Sequence, residues 1–312
     1  MISIGTDCSG IEAPIQALKQ LNITFQHKWS CDNDKYVKKS IYSNYHPELF
    51  FEDITTRNHS QLPDIDIYVC GFPCQSFSLM GKKLGTSDIR SNIMYHCIDV
   101  IKIKKPFIFI LENVKNFKFI ENGEPFNFLI NQLNNIKDEN NESIYNIYPN
   151  IYNTKDYGIP QNRERIYIIG IQKSIQIDNF TIPKKLPMKP LDDFILDKTI
   201  YINTIKNKNI LNNLKKINDK FNLHILTGMN YYYPLKNVSP TLNTQSNNTY
   251  ITPYNRKISI QECLLLQGFP KTFVQTVSNT QMYKQIGNSM SVNVLKEIFK
   301  QIFNTTIFKE II

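Results

Sequence analysis

No two of the six cysteines stand in a C-x-x-C pair; they fall at 8, 31, 70, 74, 97 and 263. The five histidines are scattered too, so no metal-binding pattern is readable. A chain this long and this sparse in cysteine does not call for a disulfide framework. Nowhere does an apolar run approach the ~18 residues of a membrane helix. The start, Met-Ile-Ser-Ile-Gly-Thr-Asp, has no basic stretch followed by an apolar one, so no secretion signal is expected. These absences predict a soluble, intracellular, reduced protein with no metal and no membrane partner. Acids are also scarce, 27 against 36 Lys and Arg, which leaves +9 at pH 7. That excess points to a polyanionic partner, nucleic acid first. A basic protein from an AT-rich genome is the competing explanation.

What is present suffices for one large domain and a smaller one: 312 residues, 41% hydrophobic and 12% aromatic. Apolar spacing predicts strands at 2–5, 27–31, 65–69, 107–111, 144–152 and 165–171. It predicts helices at 13–21, 35–45, 93–102 and 126–136, then again at 260–266 and 292–303. The alternation implies an α/β fold with a doubly wound, mostly parallel sheet. Between about 172 and 255 the period is lost. Residues 171–255 hold 11 Lys and five Asp, with no Arg or Glu, a net +6. The reading is a core interrupted by a basic insert and then resumed.

Several stretches carry chemistry. In Cys70-Gly71-Phe72-Pro73-Cys74-Gln75-Ser76-Phe77-Ser78, Gly71 and Pro73 break the preceding strand. Cys74 is left on a rigid turn at a carboxyl strand end, where open α/β sheets bind ligands. A small buried thiol is the alternative, and position alone does not choose. Asp7-Cys8-Ser9-Gly10-Ile11-Glu12-Ala13 is a strand-turn-helix junction whose glycine lets a ligand approach the backbone. Asp32 ends the second strand, where a carboxylate can accept both hydroxyls of a ribose. Glu52-Asp53-Ile54 suits an adenine edge. A helix N-cap is the competing role for each acid. Glu112 ends a buried strand, as a turn cap or as a general acid with a raised pKa. Arg163 and Arg165, two apart at the start of a strand, are expected to point to one side. That suits a phosphate or a base edge, or an ordinary surface pair.

In order, these stretches resemble the cytosine-5 DNA methyltransferases, from residue 2 to about 171 and from about 256 to 300. The most specific marks are residues 71–78, Glu112-Asn113-Val114 and the run from Tyr157 to Arg165. Two more are Glu262 with Leu266-Gln267-Gly268-Phe269-Pro270, and Gln285-Ile286-Gly287-Asn288-Ser289. Two positions depart from the family. Cys8 stands where an aromatic is usual, and Glu12 stands at the second glycine of the turn.

The resemblance implies a Rossmann-like class I methyltransferase fold. Its catalytic domain would be 1–171 and 280–312, and its target-recognition domain 172–279, with a variable core about 172–255. It implies S-adenosyl-L-methionine as cofactor, S-adenosyl-L-homocysteine as product, and double-stranded DNA as partner of a monomer. Compartment follows the host: cytoplasm, or a nucleus or viral factory. Cys74 would add to carbon 6 of cytosine. Glu112 would hold and protonate ring nitrogen 3, Arg165 would bind the exocyclic oxygen, and Arg163 would support that placement. Cys8, Ser9, Gly10, Ile11, Asp32, Asn33, Asp53, Ile54, Gly71, Pro73, Asn288 and Ser289 would line the cofactor site. Gln75, Ser78, Lys82, Arg90 and Thr241 would touch DNA, with residues 76–90 closing over a flipped base. Ser239-Pro240-Thr241-Leu242 resembles an element late in the family's recognition domain.

Two rivals share these motifs. A tRNA cytosine-5 methyltransferase of the same family typically carries a Cys-Phe-Thr element, which this chain lacks. An inactive DNA-binding scaffold would need damage at Cys74, Glu112 or Arg165, and all three are present. A small-molecule methyltransferase is disfavoured by the basic insert and the Pro-Cys-Gln turn.

Overall fold

The computed structural model describes residues 1–73, 93–201, 206–217, 223–227 and 235–311. The chain forms two compact units. One comprises Met1–Tyr152, Glu164–Pro183 and Leu295–Ile312; the other comprises Asn153–Arg163 and Lys184–Val294.

The first unit is built on a seven-stranded sheet. Its elements in chain order are β1 (Ile2–Asp7), α1 (Ala13–Gln20), β2 (Phe25–Cys31), α2 (Lys35–Asn44), β3 (Leu49–Phe51) and β4 (Ile67–Cys70). Then come α3 (Ile93–Lys104), β5 (Ile108–Val114), α4 (Glu124–Asn134), β6 (Tyr145–Asn153) and β7 (Glu164–Gln172). Pro14 sits in the first turn of α1, where its missing N–H costs nothing. Asp34 caps α2 by accepting from the Tyr36 N–H at 2.8 Å. The last helix, Val292–Asn304, buries Leu295, Ile298, Phe299, Ile302 and Phe303, the spacing of one helical face.

The strand order is β3-β2-β1-β4-β5-β7-β6. β1 runs parallel to β2 and β4, β2 to β3, and β4 to β5; β7 is antiparallel to β5. The chain steps outward from β1 to β3 and returns to β4. The direction of winding therefore reverses between β1 and β4, and open α/β sheets bind ligands at that point. β4 and residues 108–111 of β5 are wholly buried, as central parallel strands require. β5 continues to Val114, beyond the apolar run that marked it in the sequence. Its ladder with β7 persists through Glu112↔Tyr167, Asn113↔Ile166 and Val114↔Arg165. The apolar run marked burial, whereas hydrogen bonding sets the strand's length.

The second unit contains a three-stranded sheet of β8 (His224–Leu226), β9 (Tyr250–Thr252) and β10 (Arg256–Lys257), in the order β10-β9-β8. Its helices include α5 (Lys208–Lys215), α6 (Ile260–Leu266) and α7 (Asn279–Asn288). Ile210, Ile217, Leu226 and Tyr250 form a small core. Among the described residues, no helix is long and apolar enough to cross a membrane, and no cluster of His, Cys, Asp and Glu could hold a metal ion.

Candidate active site

The carboxyl ends of β1, β2, β4 and β5 lie side by side in the first unit, and expected site residues crowd there. The turn after β1 is unusual. Cys8, Gly10 and Glu12 all adopt left-handed backbone, with φ of 48°, 52° and 58°. Among the described residues other than its chain neighbours, none has an atom within 4 Å of where a Gly10 Cβ would be, which leaves room there for a ligand. The Gly10 N–H donates to Asp32 Oδ2 and the Asp34 N–H to Asp32 Oδ1, each at 3.0 Å. Burial pushes the Asp32 carboxyl up, while those two N–H groups act to lower it. Ser9 pins the turn to β2. Its hydroxyl accepts from the Cys31 N–H at 2.9 Å, and its own N–H donates to the Cys31 carbonyl at 3.0 Å. This set fits a ribose: an open backbone turn after β1 and a carboxylate at the end of the neighbouring strand β2. Ile11 is buried, and Asn33, beyond β2, is exposed. Asp53 Oδ1 accepts from the Thr55 N–H and hydroxyl at 2.8 and 2.7 Å, and Ile54 is buried beside it.

After β4, Gly71 is half-buried and Pro73 exposed. The Asn113 side chain donates to the Phe72 carbonyl at 3.0 Å, so β5 clasps the backbone that leads to Cys74. Cys74 itself, with Gln75, Ser78, Lys82 and Arg90, lies outside the described residues. Around the start of this turn three thiols gather. Cys70 and Cys97 have Sγ atoms 3.2 Å apart, and Cys8 hydrogen-bonds Cys70. That bond acts to lower the Cys8 thiol, but burial and nearby acids raise it overall. Burial pushes Cys70 well up. Neither is poised as a thiolate nucleophile.

Glu112 and Arg165 meet where β5 and β7 adjoin. Arg165 Nε lies 3.4 Å from Glu112 Oε1, and Glu112 is 8% exposed. Arg163 behaves differently, contrary to the expectation that both arginines face one side. It precedes β7, belongs to the second unit, and is buried. Its guanidinium donates to the carbonyls of Leu242 at 2.8 Å, Gly287 at 3.1 Å and Ser289 at 2.7 Å. A guanidinium is a planar fork of five donors, and here it clasps the loop at Leu242 to the carboxyl end of α7. Thr241 and Ser289, also expected at the site, sit in the same web. Thr241 Oγ1 donates to the Asn162 carbonyl at 2.7 Å. Ser289 is buried and donates through its hydroxyl to the Met290 carbonyl at 2.9 Å, while Asn288 is exposed.

The family model for C-5 cytosine-specific DNA methylases matches residues 2–304. The chain belongs to this family. It is a DNA cytosine-5 methyltransferase by that membership. It is 34% identical over 318 residues to Type II methyltransferase M.SsoII of Shigella sonnei, covering 98% of this chain and 80% of that protein. It is 31% identical over 301 residues to Type II methyltransferase M.HhaI of Haemophilus parahaemolyticus, covering 91% and 88%. Among solved structures, a putative DNA modification methyltransferase from an E. coli prophage superposes with a TM-score of 0.70 at 20% identity, covering 98% and 99%. A Spodoptera frugiperda DNMT2 mutant gives 0.71 at 18%, covering 97% and 100%. At such identities both bear on the fold alone, which is the Rossmann-like class I methyltransferase fold.

Sequence reading missed Arg57. It forms a two-pronged ion pair with buried Asp7 at the end of β1. It also missed Asn113 as the clasp on Phe72, although Asn113 stands in a quoted motif. Arg57 lies in a loop with no pattern of its own, so no local signal marks it.

Proposed function

We propose that this methyltransferase methylates carbon 5 of a target cytosine in duplex DNA, within a short specific site. The observation that carries the reading is the Glu112–Arg165 pair at the adjoining ends of β5 and β7. Carbon 5 becomes nucleophilic only after a group adds to carbon 6. Cys74 adds there as a thiolate, which both attacks and leaves well. Glu112 donates a proton to ring nitrogen 3 as negative charge builds. Arg165 holds Glu112 in place and donates to the exocyclic oxygen. Arg163 acts at one remove, by holding the Leu242 loop to the end of α7 in the second unit. After the transfer the ring-nitrogen-3 proton returns to the Glu112 carboxylate, a base removes the carbon 5 proton, and Cys74 is expelled as thiolate. The base must first leave the helix, at a cost of about a few kcal/mol.

S-adenosylmethionine, when bound, supplies an electrophilic methyl group. Gly10 and Asp32 would hold its ribose, with Asp53 and Ile54 at the adenine. Residues 172–255 form the recognition element, its lysines meeting phosphates and its Asn, Gln and Thr reading base edges. M.SsoII and M.HhaI, both above 30% identity, are Type II methyltransferases, and we read this chain as the same kind of enzyme acting inside the cell.

The test uses duplex DNA containing 5-fluorocytosine at the target site, mapped first by methylome sequencing in a bacterial host without cytosine methylation. Fluorine cannot leave as a cation, so a covalent complex should accumulate. Mass spectrometry should place it on Cys74, and Cys74→Ser should form none. An adduct on another cysteine, or methylation of tRNA and not DNA, overturns the reading.

A further inference from the structure

Glu12 is an odd residue for its place. It is fully buried, and its backbone is left-handed, with φ 58° and ψ 49°. That conformation is strained for any residue with a Cβ. Burying an ionisable group adds a second cost. A glycine, the residue the family resemblance puts here, would escape both. Glu12 occupies the N-cap position of α1, yet its side chain makes no capping hydrogen bond. It must offset its costs elsewhere.

The carboxylate turns inward. Glu12 Oε1 accepts from Thr6 Oγ1 at 2.7 Å and from Ser30 Oγ at 2.5 Å. His27 Nε2 lies 3.4 Å from the same oxygen and 3.1 Å from Ser30 Oγ. Thr6 Oγ1 is 2.7 Å from Ser9 Oγ, which in turn takes the Cys31 N–H. Oε2 has no hydrogen-bond partner among the described residues. One oxygen thus ties β1, β2 and the turn together. The web ends at Ser9 and Cys31, the immediate neighbours of Gly10 and Asp32, whose own contact is 3.0 Å.

We infer that Glu12 is a positioning residue for the cofactor site, fastening the β1–α1 turn to β2 so that the Gly10 N–H and the Asp32 carboxylate keep their spacing. It does not touch the ligand, being sealed beneath the turn. The inference rests on the reading of Gly10 and Asp32 as the ribose contacts. It also explains how this chain departs from the family's glycine: freedom at the turn is exchanged for a hydrogen-bonded anchor.

The experiment measures S-adenosylhomocysteine binding to the purified full chain by calorimetry, alongside steady-state kinetics on duplex DNA. Glu12→Gly should weaken binding about tenfold, the equivalent of one to two net hydrogen bonds. KM for S-adenosylmethionine should rise in step, with kcat at saturation within about twofold of wild type. Glu12→Gln keeps an oxygen for Thr6 and Ser30 and should bind within about threefold of wild type. If Glu12→Gly does not fold, Ser30→Ala replaces it, with a loss of about three- to fivefold expected. Unchanged affinity in whichever folded variant is measured overturns the inference. So does a fall in kcat with affinity unchanged, the mark of general damage. Asp32→Ala is the control on the underlying reading. If it binds like wild type, the cofactor assignment itself fails, whatever the Glu12 variants do.

Discussion

Asp7 is 1% exposed at the end of β1, so its carboxylate must be answered by donors. Tyr68 OH donates at 2.7 Å and Trp29 Nε1 at 3.2 Å. Arg57 Nη1 donates at 2.7 Å, and Nη2 completes the pair. The guanidinium also lies over the rings of Phe51 and Trp29, at 5.2 and 5.9 Å. Burial works against the Arg57 charge, but Asp7 raises its pKa overall. Removing one partner of such a pair leaves a buried charge with neutral donors only. Arg57→Ala should therefore destabilise by about 3–5 kcal/mol, measured by urea unfolding. A loss under about 1 kcal/mol, the value of an exposed pair, would show that solvent reaches this site. Beside it, Arg57 Nε faces His59 Nδ1 at 3.4 Å, and His59 Nε2 faces His96 Nδ1 at 3.1 Å. Burial first, then the Arg57 and His96 charges, push His59 down to about 4. The unfolded chain thus binds this proton first. Its contribution to stability is complete above the ordinary histidine value of about 6.5 and is lost as pH falls toward 4. The slope from this group cannot exceed about 1.4 kcal/mol per pH unit. Unfolding curves at several pH values, compared with His59→Gln, should show that slope in the wild type and a shallower one in the variant.

At the scale of elements, the second unit depends on a close approach of backbone. A Cβ at Gly287, in α7, would lie 2.2 Å from the Asn243 carbonyl carbon and 2.4 Å from the Thr244 nitrogen. Helix propensity favours Gly→Ala by about 1 kcal/mol. Forcing a methyl group against backbone costs about 1–3 kcal/mol or more. Sterics should win, because backbone cannot rotate aside as a side chain can. The same contact is clasped by Arg163, which binds the carbonyls of both Leu242 and Gly287. Gly287→Ala should lower the thermal midpoint by several degrees and weaken DNA binding; a raised midpoint would show that the loop yields. Other elements were plainer in the sequence. Ser259 and Glu262 form a capping box on α6, with the Ser259 N–H donating to Glu262 Oε2 at 2.8 Å. Glu262 also takes Arg256. Burial acts to raise its pKa, yet Arg256 and the backbone N–H groups of Ser259 and Leu196 hold it below the usual value.

For the molecule as a whole, charge is unevenly spread: residues 171–255 carry +6 of the total +9. Each phosphate met by a lysine contributes about −0.9 to the slope of log K against log salt for duplex DNA. Replacing Lys215 and Lys216 with alanine should flatten that slope by up to about two such steps and leave the methylated site unchanged. Grafting residues 172–255 onto a relative of different specificity should transfer the target site with the segment. An active chimaera that keeps the recipient's site would remove recognition from this part of the chain.

The sequence by itself determined the family, six of the seven strands of the large sheet and which residues stand near their carboxyl ends; the short strand β3, the helices α5 and α7 and the small sheet of the second unit are too short or too polar for an apolar period to be read. What it determined rests on local properties: apolar period sets the element, and Gly and Pro end it. Asp32, Glu112 and the turn at Gly71 were legible for that reason. The tertiary structure decided what each side chain meets. Arg163 and Arg165 differ by two positions, yet one clasps carbonyls and the other pairs with Glu112. Only the antiparallel placing of β7 against β5 brings Arg165 there. Asp7 and Arg57 are 50 residues apart, and Glu12 reaches 18 residues along to Ser30. Partners at such separations are chosen by strand order and burial, where an unmet charge is costly, and no local pattern encodes them.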